Sequence, residues 1–470
     1  MPVSVLAQDT LKISLVAAVD SAMNNNTLIL RYKEALLEKE NLRKASIGNF
    51  FPSIDMFGGY SYFSKNPEVN MSTVKESVDD MFGKYGSYIA AELGLSDDAQ
   101  QVIYQKIVEK LSGLPTYNIV IDQQNYPNLN IVATQPIFLG GKIIAGRKYA
   151  DAEYDYAGAE LKKITNDVIK ETIKRYYGVV LLKNVVGVRK QVVEGMRKHE
   201  EEAARAIEIG VIPSHELLRA KVAVANAERD LIDDQNKLDL ALLALKASMG
   251  LPENSELIIQ DSLVFQAIST DVTLLKDRAY ATQPIFQMID QKKLMVKQKH
   301  ALELSEFMPQ IAAFGQFNAF ANDYPVTLPP FIIGVQAKIN LFHGLKKYHN
   351  LKSTDNLYHQ VELADQYAHE QISLLVEKSW RELLNKKERY LKMGPTVELA
   401  QKNLVINEKR FREGLGKSID VIDARLLYEG AEVERLKSLY DYYIALTNLY
   451  VATGDARKAV ETLSIISSIE

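Results

Sequence analysis

The chain has no cysteine among its 470 residues and only one tryptophan. The missing thiol excludes disulfides, thiolate metal ligation, a cysteine nucleophile and a cysteine-borne lipid within this sequence. Long apolar runs are missing too. None approaches the roughly 18–20 residues that a membrane-spanning helix needs. A β-barrel is the remaining way across a bilayer, because its strands alternate and never look strongly hydrophobic. Neither sign of charge is in excess: 56 Lys and Arg face 60 Asp and Glu, a net charge of −4. No basic surplus marks a nucleic-acid partner. What is present is ordinary for a folded chain, with 47% hydrophobic and 25% charged residues. At the start, Val5-Leu6-Ala7 before Gln8 reads as the end of a secretory signal, without the basic and long apolar stretches of a complete one. Residues 1–8 are therefore expected to be a residual signal or N-terminal segment. An ordinary frayed terminus fits them equally well.

An internal repeat organises the rest. Phe51-Pro52-Ser53-Ile54 matches Met308-Pro309-Gln310-Ile311 at an offset of 257, which also pairs Asp20 with Asp277 and Ala22 with Ala279. Phe138-Leu139-Gly140 matches Phe342-His343-Gly344 at an offset of 204. That offset pairs Gly210 with Gly414, Ser214 with Ser418, Ala220 with Ala424 and Gly250 with Gly454. The offsets differ by 53, so the first half carries one insertion of that size between Phe63 and Tyr126. The first repeat is expected over 9–255, with one helix, then strands at 52–63 and 126–138, an inserted loop at 64–125, and helices at 143–209 and 214–249. The second is expected over 256–455, with one helix, then strands at 309–320 and 330–342 and helices at 346–413 and 418–453. A tail follows at 456–470.

Period-two alternation supports the strands. Phe331, Ile333, Val335, Ala337, Ile339 and Leu341 share one face, and Gly334, Gln336, Lys338 and Asn340 the other. About eleven residues is the length of a tilted membrane strand, and apolar-out with polar-in is the order of a water-filled barrel. The edge of a soluble sandwich alternates as well. Four strands cannot close a membrane barrel, since bacterial barrels need about eight or more. If these strands span a membrane, several chains share one barrel, and three chains give twelve strands.

The helical segments exceed what a globular core uses. Ile143 to Ile209 contains no proline, and a continuous helix there would be roughly 100 Å long. Lys346 to Glu413 is its counterpart, with a kink or break expected at Gly394-Pro395. Leu217, Val224, Leu231, Leu238 and Leu245 form a heptad series, with Ala220, Ala227, Asp234, Ala241 and Ser248 three residues after each. Ala424, Ala431, Ser438, Ala445 and Ala452 repeat the small positions. Large-then-small heptads favour close antiparallel coiled-coil packing.

Taken together, the sequence resembles the TolC family of outer-membrane efflux proteins. The resemblance lies in the strand exits Gln135-Pro136-Ile137-Phe138-Leu139-Gly140-Gly141 and Leu341-Phe342-His343-Gly344. It lies also in the turns Gly210-Val211 to Glu216-Leu217 and Gly414-Leu415 to Asp420-Val421-Ile422-Asp423-Ala424, and spans residues 9–455. It implies a mainly α fold with a membrane β-barrel part: a homotrimer with a twelve-stranded barrel in outer-membrane lipid and an α-helical barrel in the periplasm. It implies a mixed equatorial belt from the N-terminal segment, Pro252 to Leu275 and the tail. It further implies a Gram-negative outer-membrane exit duct, a periplasmic adaptor, an inner-membrane pump of RND, ABC or MFS type, and no enzymatic activity. A periplasmic coiled-coil scaffold that never inserts is the competing reading.

Gly210 and Gly414 suit left-handed helix ends, and Ser214 and Ser418 suit N-caps of the returning helices. Glu216 and Asp420 then sit in first turns, where the helix dipole favours acids. By resemblance, Asp420 and Asp423 match a pair of aspartates ringing the periplasmic aperture, and Glu216 an acid that helps to close it. Gly416 and Phe411 stand where the family pattern has arginine and tyrosine. Gly210, Val211, Ser214, Gly414, Leu415 and Ser418 are the expected adaptor-docking tips. His349, His359 and His369 are ten apart and do not share a helical face. No metal site and no cofactor is expected.

Overall fold

The computed structural model describes residues 11–66, 68–70, 118–120, 122–268, 271–321 and 329–467, with isolated positions between 81 and 104. The expected segment 1–8, most of the insertion and the connection at 322–328 lie outside the described residues.

The first repeat opens with β1 (Leu11–Ile13), α1 (Leu15–Asn25) and α2 (Thr27–Gly48). It continues with β2 (Ser53–Tyr62), then β3 (Glu68–Asn70) and β4 (Asn118–Val120), an antiparallel pair within the insertion. Next come β5 (Asn125–Leu139), α3 (Lys142–Glu208, 67 residues) and α4 (Ser214–Met249). The second repeat has β6 (Leu257–Ile259), α5 (Val272–Thr282), α6 (Pro284–Ser305), β7 (Gln310–Asn318) and β8 (Phe331–Lys338). It ends with α7 (Lys346–Arg412, 67 residues), α8 (Ser418–Ala452) and α9 (Ala456–Ser467).

Three expectations are corrected. The strand expected over 330–342 ends at Lys338, because its partner β7 begins at Gln310, directly opposite, after Pro309, which has no N–H to pair. Each repeat has two helices before its strands, divided at Asn26 and Gln283, rather than one. The expected break at Gly394-Pro395 is absent: α7 runs through Pro395. The proline frees the Leu391 carbonyl, and both residues lie on the exposed side, where water satisfies it. Thr396 Oγ1 donates to the Lys392 carbonyl at 3.2 Å in the same turn.

The chain forms two compact units. One contains Met1–Leu37, Asp155–Asp290 and Leu363–Glu470. Its core joins Leu15 and Val19 of α1, Tyr176 and Tyr177 of α3, and Leu245 and Met249 of α4 to Tyr442, Tyr443, Leu446 and Leu449 of α8 and Leu463 of α9. Each buried leucine contributes about 1.5–3 kcal/mol over its exposed state. β1 pairs parallel with β6, and Asp261 accepts the Leu15 N–H (2.8 Å) and the Tyr176 hydroxyl (2.8 Å). The extended segment after Asp261 is fastened by tyrosines. The Tyr443 hydroxyl donates to the Val264 carbonyl (2.7 Å) and accepts the Val264 N–H (3.2 Å). The Tyr442 hydroxyl does the same with the Gln266 carbonyl (2.9 Å) and the Ile268 N–H (3.2 Å).

The repeat is visible at single atoms within this unit. Asn26 stops α1, and its side-chain amide donates to the Ser248 carbonyl at 2.9 Å. Gln283, 257 residues on, stops α5, and its amide donates to the Ala452 carbonyl at 2.7 Å. Ala452 is 204 residues beyond Ser248, so both offsets meet in one pair of equivalent hydrogen bonds. Gly250 and Gly454, left-handed at φ 68° and 83°, end α4 and follow α8 against Asn25 and Gln283.

The other unit contains Glu38–Tyr154 and Gln291–Glu362. It holds an antiparallel sheet in the order β2-β5-β7-β8. The register aligns Met56, Ile131, Phe317 and Phe331 in one row and Ile54, Ala133, Gly315 and Ile333 in the next. Their neighbours fall on the opposite face, where Asp55 lies level with Gln316 and Asn130 with Asn318. Alternation along each strand thus becomes one apolar and one more polar face. Every residue of β2 is exposed, and Ile54, Met56, Ile333 and Val335 are each about 70% exposed. Among the described residues, β2 and β8 are both unpaired on their outer edges.

Candidate functional site

The helical turns follow from two glycines. Gly210 (φ 73°) ends α3, its N–H bonding the Ile207 carbonyl (2.8 Å) while the Val211 N–H reaches Ala206 (2.9 Å). Gly414 (φ 72°) ends α7 in the same way, through Phe411 (3.0 Å) and Leu415 to Arg410 (2.8 Å). This double bond satisfies carbonyls that a helix end leaves open. The turns are neighbours, since a Cβ on Gly414 would lie 3.3 Å from Val211 Cγ1. Val211 and Leu415 are exposed.

Ser214 and Ser418 are not N-caps. They are the first helical residues, and Pro213 and Lys417 hold the cap positions in extended conformation. Proline cannot cap through its side chain, and at the second turn the acid substitutes: Asp420 accepts the Lys417 N–H at 3.0 Å. Asp423, one turn further, is exposed and makes no ion pair among the described residues. Glu216 occupies the position equivalent to Asp420 but is buried, with one oxygen near His215 Nε2 (3.2 Å) and Arg219 (3.4 Å). Its other oxygen has no partner.

Ser418 is fully buried and meets a residue that the sequence did not single out. His199 of α3 is 3% exposed, with Nε2 2.7 Å from Ser418 Oγ and its ring edge-on to Phe411 at 4.6 Å. Nδ1 has no partner. Burial, and next the positive charge of Arg425, push its pKa down to about 4 against the smaller opposing pull of Glu216, so the ring is neutral at neutral pH. Arg425 of α8 pairs with Glu408 of α7 and lies against Gly195 of α3. Ala203, Ala220 and Val421 pack around Phe411 as the apolar part of the cluster.

Farther along the same helices, Arg189 of α3 joins Asp234 of α4 (2.8 Å) and Glu429 of α8. Lys237 adds a second bond to Asp234 at 2.7 Å. Asp234 was legible as a polar interruption of the small heptad positions. His199 carried no such signal, because its partner lies 219 residues away. Among the described residues no group of three His, Asp or Glu side chains is placed to hold a metal ion.

The long paired helices joined by these turns, with the four-stranded sheet, have the fold of outer-membrane efflux channels. Residues 121–251 match the family model described as outer membrane efflux protein. Solved structures with this fold include the CmeC outer membrane channel of Campylobacter jejuni, 13% identical over 97% of this chain and 90% of that one, with a TM-score of 0.72. The outer membrane protein VceC of Vibrio cholerae is 14% identical over 94% and 96%, TM-score 0.70. The open state of the MtrE outer membrane channel of Neisseria gonorrhoeae is 14% identical over 94% and 89%, TM-score 0.70. No curated protein sequence matches the chain. The resemblance to the outer-membrane efflux proteins is thus shown in sequence over the first long hairpin and in fold over nearly the whole chain.

Proposed function

We propose that the chain is one protomer of a homotrimeric exit duct in the outer membrane of a Gram-negative bacterium, exporting cargo together with a periplasmic adaptor and an inner-membrane pump. The observation that carries this reading is the sheet. It has one largely apolar face, both edges unpaired among the described residues, and strands that lead into 67-residue helices. An exposed apolar face of this kind needs lipid, and open edges need partner strands. Pairing β8 of one copy with β2 of the next closes twelve strands among three copies and answers both needs.

In this assembly the two turns form the periplasmic aperture. Asp423, exposed and unpaired, and Asp420, held at the helix start, supply three copies each of a carboxylate ring that favours cations. Glu216 serves closure from inside the cluster, and Val211 and Leu415 are the exposed contacts for the adaptor. The test is fractionation with outer membranes and migration as a heat- and SDS-resistant trimer, followed by single-channel recording. A trivalent cation in the lumen should block the channel, and Asp420→Ala with Asp423→Ala should relieve the block at least tenfold. Recovery as a soluble monomer that never inserts would favour the scaffold reading instead.

A further inference from the structure

We infer that the His199–Ser418 contact is an acid-released latch, holding the α7–α8 turn against α3. The inference rests on the reading of the turns as a channel entrance.

The geometry makes the contact a fastening at the turn itself. Ser418 begins α8 and His199 belongs to α3, so their 2.7 Å contact ties the second hairpin to the first. Phe411, at the end of α7, covers the imidazole from the other side of the turn. The turn therefore cannot swing away from α3 without withdrawing both Phe411 and Ser418 from the ring. Once it does, the ring meets water.

A buried neutral histidine with an unpartnered Nδ1 cannot take a second proton without placing a charge in an enclosed site. The groups around it decide the direction. From α8 comes Arg425, a cation paired with Glu408 of α7. From α4 comes Glu216, an anion whose charge is shared with His215 and Arg219. Burial and Arg425 together outweigh Glu216. The latched state therefore holds its proton less tightly than the released state, in which the ring regains its ordinary pKa of 6.5. A histidine depressed in one state stabilises that state above the ordinary pKa and loses the advantage as pH falls toward the lower one. Between about 6.5 and about 4 the balance moves to release. At pH 5.5 the latched-to-released ratio falls about tenfold per protomer relative to pH 7.5.

The chain has no cysteine, so two introduced cysteines accept spin labels uniquely. Glu201→Cys on α3 and Leu415→Cys in the turn are both exposed. The full-length protein in detergent is expected to show a longer inter-label distance at pH 5.0 than at pH 7.5. His199→Gln, which keeps a hydrogen-bonding partner for Ser418 but does not titrate, should hold one distance at both. Arg425→Gln, which brings the latched pKa nearer the released one, should shrink the change or move it to lower pH, and Glu216→Gln should move it to higher pH. A wild-type distance that ignores pH, or an equal change in His199→Gln, overturns the latch. Bilayer conductance recorded in parallel separates the two readings: widening without any conductance leaves the latch standing and removes the channel.

Discussion

The Arg425 guanidinium occupies the space that a side chain at Gly195 would take. Alanine in a helix interior is worth about 1 kcal/mol over glycine. Gly195→Ala forfeits that gain, because Arg425 must leave its place beside Glu408 to admit the methyl group. A net loss of about 1–3 kcal/mol is expected. Gly187 lies two turns earlier on α3 and faces open space, so Gly187→Ala should stabilise by about 0.5–1 kcal/mol. Thermal unfolding followed by circular dichroism checks the pair. Equal shifts of one sign would show that Arg425 is not held.

Asp234 links the packing of three helices to pH. Burial pushes its carboxyl up, but hydrogen bonds from Lys237 and Arg189 outweigh this and leave it below its ordinary value of 3.8. A depressed carboxyl gives stability that is complete above the ordinary pKa and lost as pH falls through the lower one. Asp234→Asn should therefore lower the melting temperature at pH 7 and flatten its dependence on pH below about 4. Replacing Arg189, Asp234 and Glu429 together by leucines should restore much of the loss, since removing one partner leaves the others buried and unpaired.

The tyrosine fastening gives a local prediction. Tyr443→Phe keeps the ring in the core but removes both bonds to Val264. Leaving such groups unpaired costs about 1–3 kcal/mol. Faster amide exchange is expected over residues 262–268, with the helical signal of α8 unchanged. Exchange that rises equally in α8 would assign the hydroxyl a global role. Burial also pushes this hydroxyl's pKa up to about 12, so it stays a donor throughout the working pH range.

Two adjacent glycines at the exit of β5 should behave differently. Gly140 and Gly141 are both left-handed, at φ 61° and 85°. Alanine costs about 1 kcal/mol at either for that reason alone. Gly140→Ala would also place its Cβ 2.6 Å from Met308 Cβ and 2.8 Å from the Ser305 carbonyl, whereas Gly141 faces open space. The melting temperature should fall much further for Gly140→Ala, as read by circular dichroism.

Much of the architecture was legible because it depends on short-range chemistry. Alternation marked β8 through Phe331, Ile333 and Val335, and glycine at 210 and 414 marked the turns, since few other residues take positive φ cheaply. The end of β8 was overrun, because Ile339 and Leu341 continue the alternation past Lys338, where the partner strand runs out. Pro395 misled because its effect depends on which side of the helix faces water. The serines misled because capping needs the residue just outside the helix, and each serine is the first residue inside it. His199 stayed hidden inside a charged stretch beside Glu200, Glu201 and Glu202. Only the fold brings Ser418 and Phe411 to it.

The exposed strand β2 has a consequence for the life of the newly made chain. Ile54, Met56, Phe57, Tyr60 and Tyr62 stand uncovered on a ten-residue edge with free backbone donors and acceptors. Before the proposed assembly such an edge adheres to any strand it meets, including that of a misregistered sister copy. Escape from aggregation is then a race. The concentration of sister chains, the speed of their correct meeting and the capacity of whatever holds the edge meanwhile would decide how much protein matures.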